Sequence, residues 1–450
     1  MERPGLWRGV LRHVAFRRLW FGAMISSIGT WMEGLGVQWL MAEQTGSTVM
    51  LGWLAVAQLG PMLVLGIFGG LATDRLDRRA LLLVTQAVMM AIAAGLAVAS
   101  ATGYATPPVL LALGLLNGVA MAFNAPVWQV QSPRLVPREE LHRAIALQGM
   151  QFNLARVVGP ALAGALLAST SATVLFALNA VSFVAVMWAI YLTEPAPPPT
   201  GPRAPARAQV IEAIRFVFGG PGPRALFVML VVLSALAAPL QRMLPLFVSE
   251  VFHAGETAYG LLLGLFGGGA VLGGLTLGRW PVWYPRHHLI PLALTLTGVC
   301  MTGFCATRDL ALAGACIFAA GVAWIWAFSS MLTAVQLLVG DAMRGRVLAV
   351  INMAVFGAMP LGSMLAAVLG ERLAGWLGAT DPVGAAVQLG VGVATTLLTL
   401  AGAWLLIWRT PEIDEPQPGS TSPPRARNLW RGVTARAHRP TPTGGGIPGP

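Results

Sequence analysis

Long apolar runs alternate with short polar breaks along the whole chain, and most of the breaks carry arginine. A helix needs about 20 mostly apolar residues to cross the hydrocarbon core of a bilayer. Twelve segments meet that length: residues 19–41, 51–72, 80–101, 107–128, 145–168, 172–193, 225–248, 257–278, 287–306, 310–334, 346–370 and 383–408. Each predicts a spanning helix. The first run is too long and too polar for a cleaved leader, so it is read as the first span. After the sixth comes PAPPPTGPRAPA (195–206), a stiff proline-rich connector. Residues 207–218 follow, with Val210, Ile211, Ile214 and Val217 on one face, which predicts a short helix lying in the membrane interface. The expected organisation is an N-terminal segment 1–18, a six-helix bundle 19–193, a connector 194–224, a second six-helix bundle 225–408 and a tail 409–450. The tail is rich in Pro, Gly, Ser, Thr and Arg and is expected to be disordered, with its arginines near anionic lipid.

Composition agrees. Apolar residues make up 56% of the chain and charged residues 10%, with a mean hydropathy of +0.69. Ordinary soluble domains carry about 25% charged residues. The 29 basic residues are all arginine. Without lysine there is no phosphate-binding loop of the usual kind and no lysine Schiff base. Nor does any hydrolytic or redox constellation stand out, and the chain is not expected to be an enzyme. Alternating the twelve spans across the membrane puts 25 arginines in the termini and loops of one side. Only Arg308 and Arg372 lie on the other, and Arg156 and Arg242 fall within spans. Arginine-rich loops stay cytoplasmic, so both termini are expected there. The net charge of +11 then reflects topology, and no nucleic-acid partner is expected. Cys300, Cys305 and Cys316 match no metal or disulfide framework. The histidines form no ligand cluster, so neither metal nor cofactor is expected.

The two halves repeat. GGLATDRLDRR (69–79) lies between spans 2 and 3, and GGLTLGRW (273–280) lies between spans 8 and 9, 204 positions later. Residues 131–164 around span 5 are matched by 336–362 around span 11, with Pro160 and Pro360 200 positions apart. Parallel six-span repeats with a site at their interface are a transporter architecture.

The loop after span 2 carries Gly70, Asp74, Arg75, Arg78 and Arg79. It resembles the signature loop of the major facilitator superfamily, with Asp77 where a second glycine is usual. The stretches ISSIGTWME (25–33), EQTGSTVMLG (43–52) and RVVGPALAG (156–164) are similar to its drug:proton antiporter subgroup, which includes macrolide and enterobactin exporters. The resemblance covers residues 10–410. It implies the all-helical twelve-span fold of two pseudo-symmetric bundles, and proton-driven export of a small amphipathic molecule such as a drug, macrolide or siderophore. It also implies a conformational latch at Gly70, Asp74, Arg75, Arg78 and Arg79. An acid at the end of span 2 can pair with arginines or with a helix N-terminus of the other half, in only one of two rocking states. In the second half Gly278 replaces that aspartate, so the latch is asymmetric. Gly159, Pro160 and Gly164 resemble the exporter motif of span 5 and are read as a hinge or seal, although Ala163 stands where glycine is usual.

Charges inside spans are costly and mark function. Glu33 shares a face of span 1 with Gly22, Ser26, Gly29 and Gly36, a seam expected to face protein or a cavity. A carboxyl that alternates between apolar surroundings and an arginine can carry a proton, so Glu33 is the candidate for proton coupling. Arg156, in a seam with Gly149, Asn153 and Pro160, is a candidate partner for it or a contact for an anionic substrate. Arg242, between Pro239 and Pro245, is a substrate candidate that could instead snorkel to headgroups. Gln38, Asn117, Asn124, Asn153, Asn179 and Asn352 are candidate lining residues. Trp31, Trp39, Trp324, Trp326 and Phe328 are candidates for an apolar cavity wall. The expected protein is a secondary transporter of a bacterial inner membrane, working by alternating access and as a monomer, with a small-molecule substrate and protons as partners. Composition by itself does not set the direction. A lipid or lysophospholipid flippase on the same fold, and a non-transporting sensor or assembly partner, are the alternatives.

Overall fold

A computed structural model describes residues 9–137, 140–193, 206–279, 286–339 and 341–407, together with Ile413. In lipid, backbone polar groups must be satisfied within the segment, and twelve long helices do this. They are α1 (Val14–Thr45), α2 (Thr48–Arg75), α3 (Arg78–Ala101), α4 (Pro107–Gln131), α5 (Leu141–Ser169) and α6 (Ala172–Tyr191), then α7 (Pro221–Leu246), α8 (Glu256–Leu277), α9 (Arg286–Ala306), α10 (Leu310–Leu338), α11 (Asp341–Trp376) and α12 (Pro382–Ile407). No strand occurs among the described residues. Eleven of the twelve are long and apolar enough to cross a membrane; α1, with Ser26, Ser27, Thr30, Glu33 and Gln38, is the exception. The twelve predicted spans all form, and α1 and α11 run beyond the predicted ends.

Turns are set by local chemistry. Gly46, at φ +52°, ends α1, and its N–H donates to Ala42 O at 2.8 Å. Ser47 then caps α2 by accepting from Met50 N. Asp77 occupies the position where the signature loop has glycine, and its Oδ1 accepts from Ala80 N at 2.9 Å to cap α3. The aspartate therefore starts a helix where the glycine would only relax a turn.

The connecting helix Ala206–Gly219 differs from its prediction. Ala213 and Val217 are fully buried against the protein, whereas Ile211, Ile214 and Phe218 are exposed. The four apolar residues expected on one lipid-facing side are thus divided: Val217 packs inward, Ile211 and Ile214 face outward, and the Val210 side chain lies outside the described residues. Glu212 accepts from Arg346 Nη1 at 2.8 Å, tying this helix to the start of α11. The connector 194–205, the segment 1–8 and the tail 409–450 apart from Ile413 lie outside the described residues.

The sequence repeat reappears as packing. A methyl group on Gly69 of α2 would lie 2.1 Å from Ala122 O of α4, and one on Gly273 of α8 would lie 2.7 Å from Val322 O of α10. The matched glycines let matched helix pairs approach backbone to backbone. Two seams, also related by the repeat, join the halves. In one, α5 meets α8, where Pro160 and Gly164 face Gly260. In the other, α11 meets α2, where Met364 and Ala367 face Gly52, and Gly357 faces Leu63. Both seams occupy the half of the bundle away from the arginine-rich loops. Towards those loops α4 and α10 share no packing seam, and Ile145, Met150 and Phe152 of α5 are exposed.

The α5–α8 seam gives a direct test. A side chain at Gly164 meets Gly260 Cα at 2.7 Å, whereas one at Gly264 first meets Ala161 Cβ at 3.7 Å. Gly164→Leu is expected to cost about 1–3 kcal/mol through overpacking, and Gly264→Ala close to nothing. Thermal unfolding of the detergent-solubilised protein measures both; equal losses would contradict this description of the seam.

Candidate transport site between the two halves

Arg156 lies near the middle of α5 and is 6% exposed. The helical repeat points it across the interface. Its guanidinium carbon sits 4.7 Å from the Trp324 ring, 4.9 Å from Phe266 and 5.8 Å from Trp31. Trp31 belongs to the first half, and Phe266 and Trp324 to the second. Trp324 stacks on Phe328 at 5.1 Å and 6°, and Phe152 packs edge-on to Trp31 at 5.9 Å. A guanidinium over ring faces is stabilised by the ring quadrupole. Its hydrogen-bond partner is Gln241 of α7, whose Oε1 accepts from Nη2 at 3.2 Å, while Nε is buried without a partner.

The next residue on α7 reaches back the other way. Arg242 Nη1 donates to Gln58 Oε1 of α2 at 2.9 Å. Arg242 therefore does not snorkel to headgroups; the interface supplies an acceptor closer than lipid does. Each half contributes one arginine and one glutamine, and each arginine is held by the glutamine of the other half. Nearby, Tyr259 of α8 stacks on Trp39 of α1 at 5.8 Å, and its hydroxyl is buried without a partner.

Glu33 lies elsewhere. Its Oε2 accepts from Asn179 Nδ2 of α6 at 2.6 Å, and Ser182 donates to Asn179 Oδ1 at 3.2 Å. The seam of Gly22, Gly29, Glu33 and Gly36 faces α6, as a seam facing protein should. Of the two roles open to Arg156, pairing with Glu33 is not seen in this structure, where Glu33 is bonded to Asn179 and Arg156 to Gln241. The two leave their helices on different faces, and α6 supplies the neutral amide instead. Asn124 of α4 donates to Thr85 Oγ1 of α3 at 2.8 Å, inside the first bundle. Asn153 donates to Gly149 O at 2.8 Å and Gln38 to Gly34 O at 3.0 Å, each within its own helix. Gln38 Oε1 is buried without a partner. Gly159 packs on Trp31 and Ile28 of α1, which fixes the distance between Trp31 and α5. Pro160 and Gly164 lie in the α5–α8 seam.

In the predicted latch, Gly70 and Arg75 lie at the end of α2, with Arg75 exposed. Arg78 is 5% exposed and its Nε donates to Thr73 O at 3.2 Å. Arg79 donates to Tyr191 O and lies over the Tyr191 ring at 5.1 Å. These contacts stay within the first half. The Asp74 side chain lies outside the described residues.

Sequence reasoning did not single out Gln58, Gln241, Phe266 or Tyr259. An amide in the middle of an apolar run was the available signal for both glutamines. It also missed Glu371 of α11, whose Oε1 accepts from Thr48 Oγ1 at 2.9 Å, Ser47 Oγ at 3.4 Å and Val49 N at 3.4 Å. A carboxylate from one half thus sits on the N-terminus of a helix from the other, at the end remote from the arginine-rich loops, where a helix dipole favours negative charge.

A family model described as transmembrane secretion effector matches residues 8–422. The chain belongs to that family. Transmembrane secretion effectors are secondary transporters of the major facilitator superfamily, so the chain is a multi-pass membrane protein. Among relatives of this secretion effector, the staphyloferrin A transporter of Staphylococcus aureus is 25% identical over 349 residues, covering 76% of this chain and 86% of that protein. The enterobactin exporter EntS of Citrobacter koseri is 28% identical over 397 residues, covering 86% and 91%. Macrolide efflux protein A of Streptococcus pyogenes is 24% identical over 387 residues, covering 83% and 92%. Two solved structures share the fold. A bacterial homologue of the human lysosomal transporter Spinster, inward-facing and unoccupied, has a TM-score of 0.68 at 15% identity, covering 89% of this chain and 95% of that one. The D-xylose-proton symporter has a TM-score of 0.67 at 16% identity, covering 91% and 100%.

Removing the Glu371 carboxylate is expected to loosen the end it bridges. The Glu371 side chain is exposed although its Thr48 contact is half-buried, and about 1 kcal/mol with a roughly fivefold shift in population is expected. In a background without Cys300, Cys305 and Cys316, Glu371→Ala should raise labelling of Gly264→Cys by an impermeant maleimide about fivefold. Gly264 lies in the other seam, between α5 and α8, so unchanged labelling would show that the carboxylate does not hold the arginine-poor end closed as a unit.

Proposed function

We propose that this secretion effector exports a small amphipathic molecule across the bacterial cytoplasmic membrane by alternating access, driven by protons and working as a monomer. The observation that carries the reading is the distribution of contacts between the halves. They pack along α5–α8 and α11–α2 away from the arginine-rich loops and lack a corresponding seam between α4 and α10. Arginine-rich loops and both termini belong on the cytoplasmic side by the charge asymmetry of the loops. The conformation is then open towards the cytoplasm, with Arg156 and its aromatic rings at the closed end of the opening. Relatives named as siderophore and macrolide exporters support the outward direction.

Opening the other side requires the two seams to part and the cytoplasmic ends to meet. Gly70, Asp74, Arg75, Arg78 and Arg79 are proposed to latch that second state. Arg78 donates to Thr73 O and Arg79 to Tyr191 O, both within the first half. Glu33 is the proposed proton carrier. Among the described residues it is the one acid in the middle of a spanning helix, and its partner is a neutral amide. Membrane lipid, including anionic headgroups beside the basic tail, completes the surroundings.

Susceptibility and accumulation profiling in cells tests the reading. Cells making the wild-type protein are expected to accumulate less of an amphipathic compound than empty cells, and a protonophore should abolish the difference. Asp74→Asn should cut export roughly 5- to 150-fold, the range of a 1–3 kcal/mol bias between states. Glu33→Gln should give export that no longer responds to the proton gradient. Protonophore-insensitive export by the wild type would remove proton coupling, and wild-type rates in Glu33→Gln would remove Glu33 from it.

A further inference from the structure

The interface carries two arginines whose hydrogen-bond partners are both neutral amides: Gln241 for Arg156 and Gln58 for Arg242. Among the described residues no carboxylate pairs with either. Glu33 is turned into the first bundle against Asn179. Glu43, Glu250, Glu256, Glu371 and Asp381 lie at or near helix ends on the arginine-poor side. The centre of the interface therefore holds positive charge with no internal counter-charge, where low dielectric makes an uncompensated charge expensive. Neutral amides orient a guanidinium without cancelling it.

The aromatic rings sharpen the reading. Rings grouped around a central point form a cage that binds a ligand's cation. Here the protein's own guanidinium fills that place, between Trp31, Phe266 and Trp324. A second cation would meet Arg156 and Arg242 as like charges. An oxyanion would meet a guanidinium with a donor to spare, since Arg156 Nε is buried without a partner. The stacked pair Trp324–Phe328 and the exposed ring of Phe152 offer flat apolar surface for the body of such a molecule.

We infer that Arg156, with Arg242 next along α7 from its partner Gln241, forms a binding site for amphipathic organic oxyanions, a carboxylate or phenolate on an aromatic or apolar body, and that the site rejects cations. This rests on the transport reading above and narrows its substrate class. The crossed glutamines keep both arginines aimed into the interface, and the positive charge is completed only by cargo.

The test uses the full chain in lipid nanodiscs and two probes of one shape, 2-naphthoate and 2-naphthylmethylammonium, with binding measured by calorimetry. Saturable binding of the naphthoate, at least about tenfold tighter than the ammonium, is expected. Gln241→Glu sets a carboxylate beside Arg156 and is expected to lower naphthoate affinity about tenfold or more and to bring the ammonium level with it. Arg156→Gln should abolish naphthoate binding. Equal or tighter binding of the ammonium by the wild type, no saturable naphthoate binding, or an unchanged ratio in folded Gln241→Glu would each overturn the inference. If a variant fails to fold, as judged by gel filtration, the wild-type ratio decides. Exchange in proteoliposomes separates the two readings. Exchange of small amphiphiles without anion preference overturns this inference alone, and anion binding without exchange supports it while overturning transport.

Discussion

A charge in the middle of a membrane-spanning bundle is costly unless protein, cargo or a water-filled cavity satisfies it. The arrangement of this transporter follows from how Arg156 and Arg242 meet that demand. Each reaches out of its own half to an amide of the other, and the two contacts meet at the consecutive residues Gln241 and Arg242 of α7. Pro239 and Pro245 flank that pair, and each removes one helical hydrogen bond. Among the described residues, these two polar contacts between the halves fall on one short stretch of one helix.

The seams on either side follow a different rule. Lipid tails are as apolar as leucine, so spanning helices gain little from burying leucine against one another and more from close backbone approach. Gly164 against Gly260, and Gly52 against Met364 and Ala367, are contacts of that kind. Such seams hold while closed and separate without stranding polar groups. An ionic element at the arginine-poor end, the contact of Glu371 with the N-terminus of α2, is half-exposed and weak enough to release. It also mirrors the proposed latch. Glu371 closes one end by setting an acid from α11 on the start of α2, and Asp74 stands at the opposite end of that same α2.

Several intramembrane polar residues have partners inside the first bundle. Asn124 with Thr85, Asn153 with Gly149 O, and Gln38 with Gly34 O satisfy local groups within the first bundle. Glu33 and Asn179 join α1 to α6, and so hold the helix that presents Trp31 to Arg156 on its other face. Glu33 therefore stands one helix face away from the aromatic cage, close enough for changes at either to move the same helix.

Part of this architecture is written in local chemistry along the chain. Twelve spans follow from run length, the pairing of the halves from Gly69 with Gly273 and Pro160 with Pro360, and the inward face of α1 from the spacing of its glycines. Each depends on residues near in the chain or on internal repetition, and each is visible without distances. Side-chain partners, by contrast, were settled by how the helices pack. Whether Arg156 met Glu33 or Gln241, and whether Arg242 reached lipid or Gln58, depended on the rotation of helices about their axes. That rotation is set by packing between elements far apart in the chain. The fate of Val217 was decided in the same way, because the apolar face of the connecting helix could turn to lipid or to α11, and hydropathy does not distinguish them. Periodicity places a side chain on a helix face, and only neighbouring helices determine what that face meets.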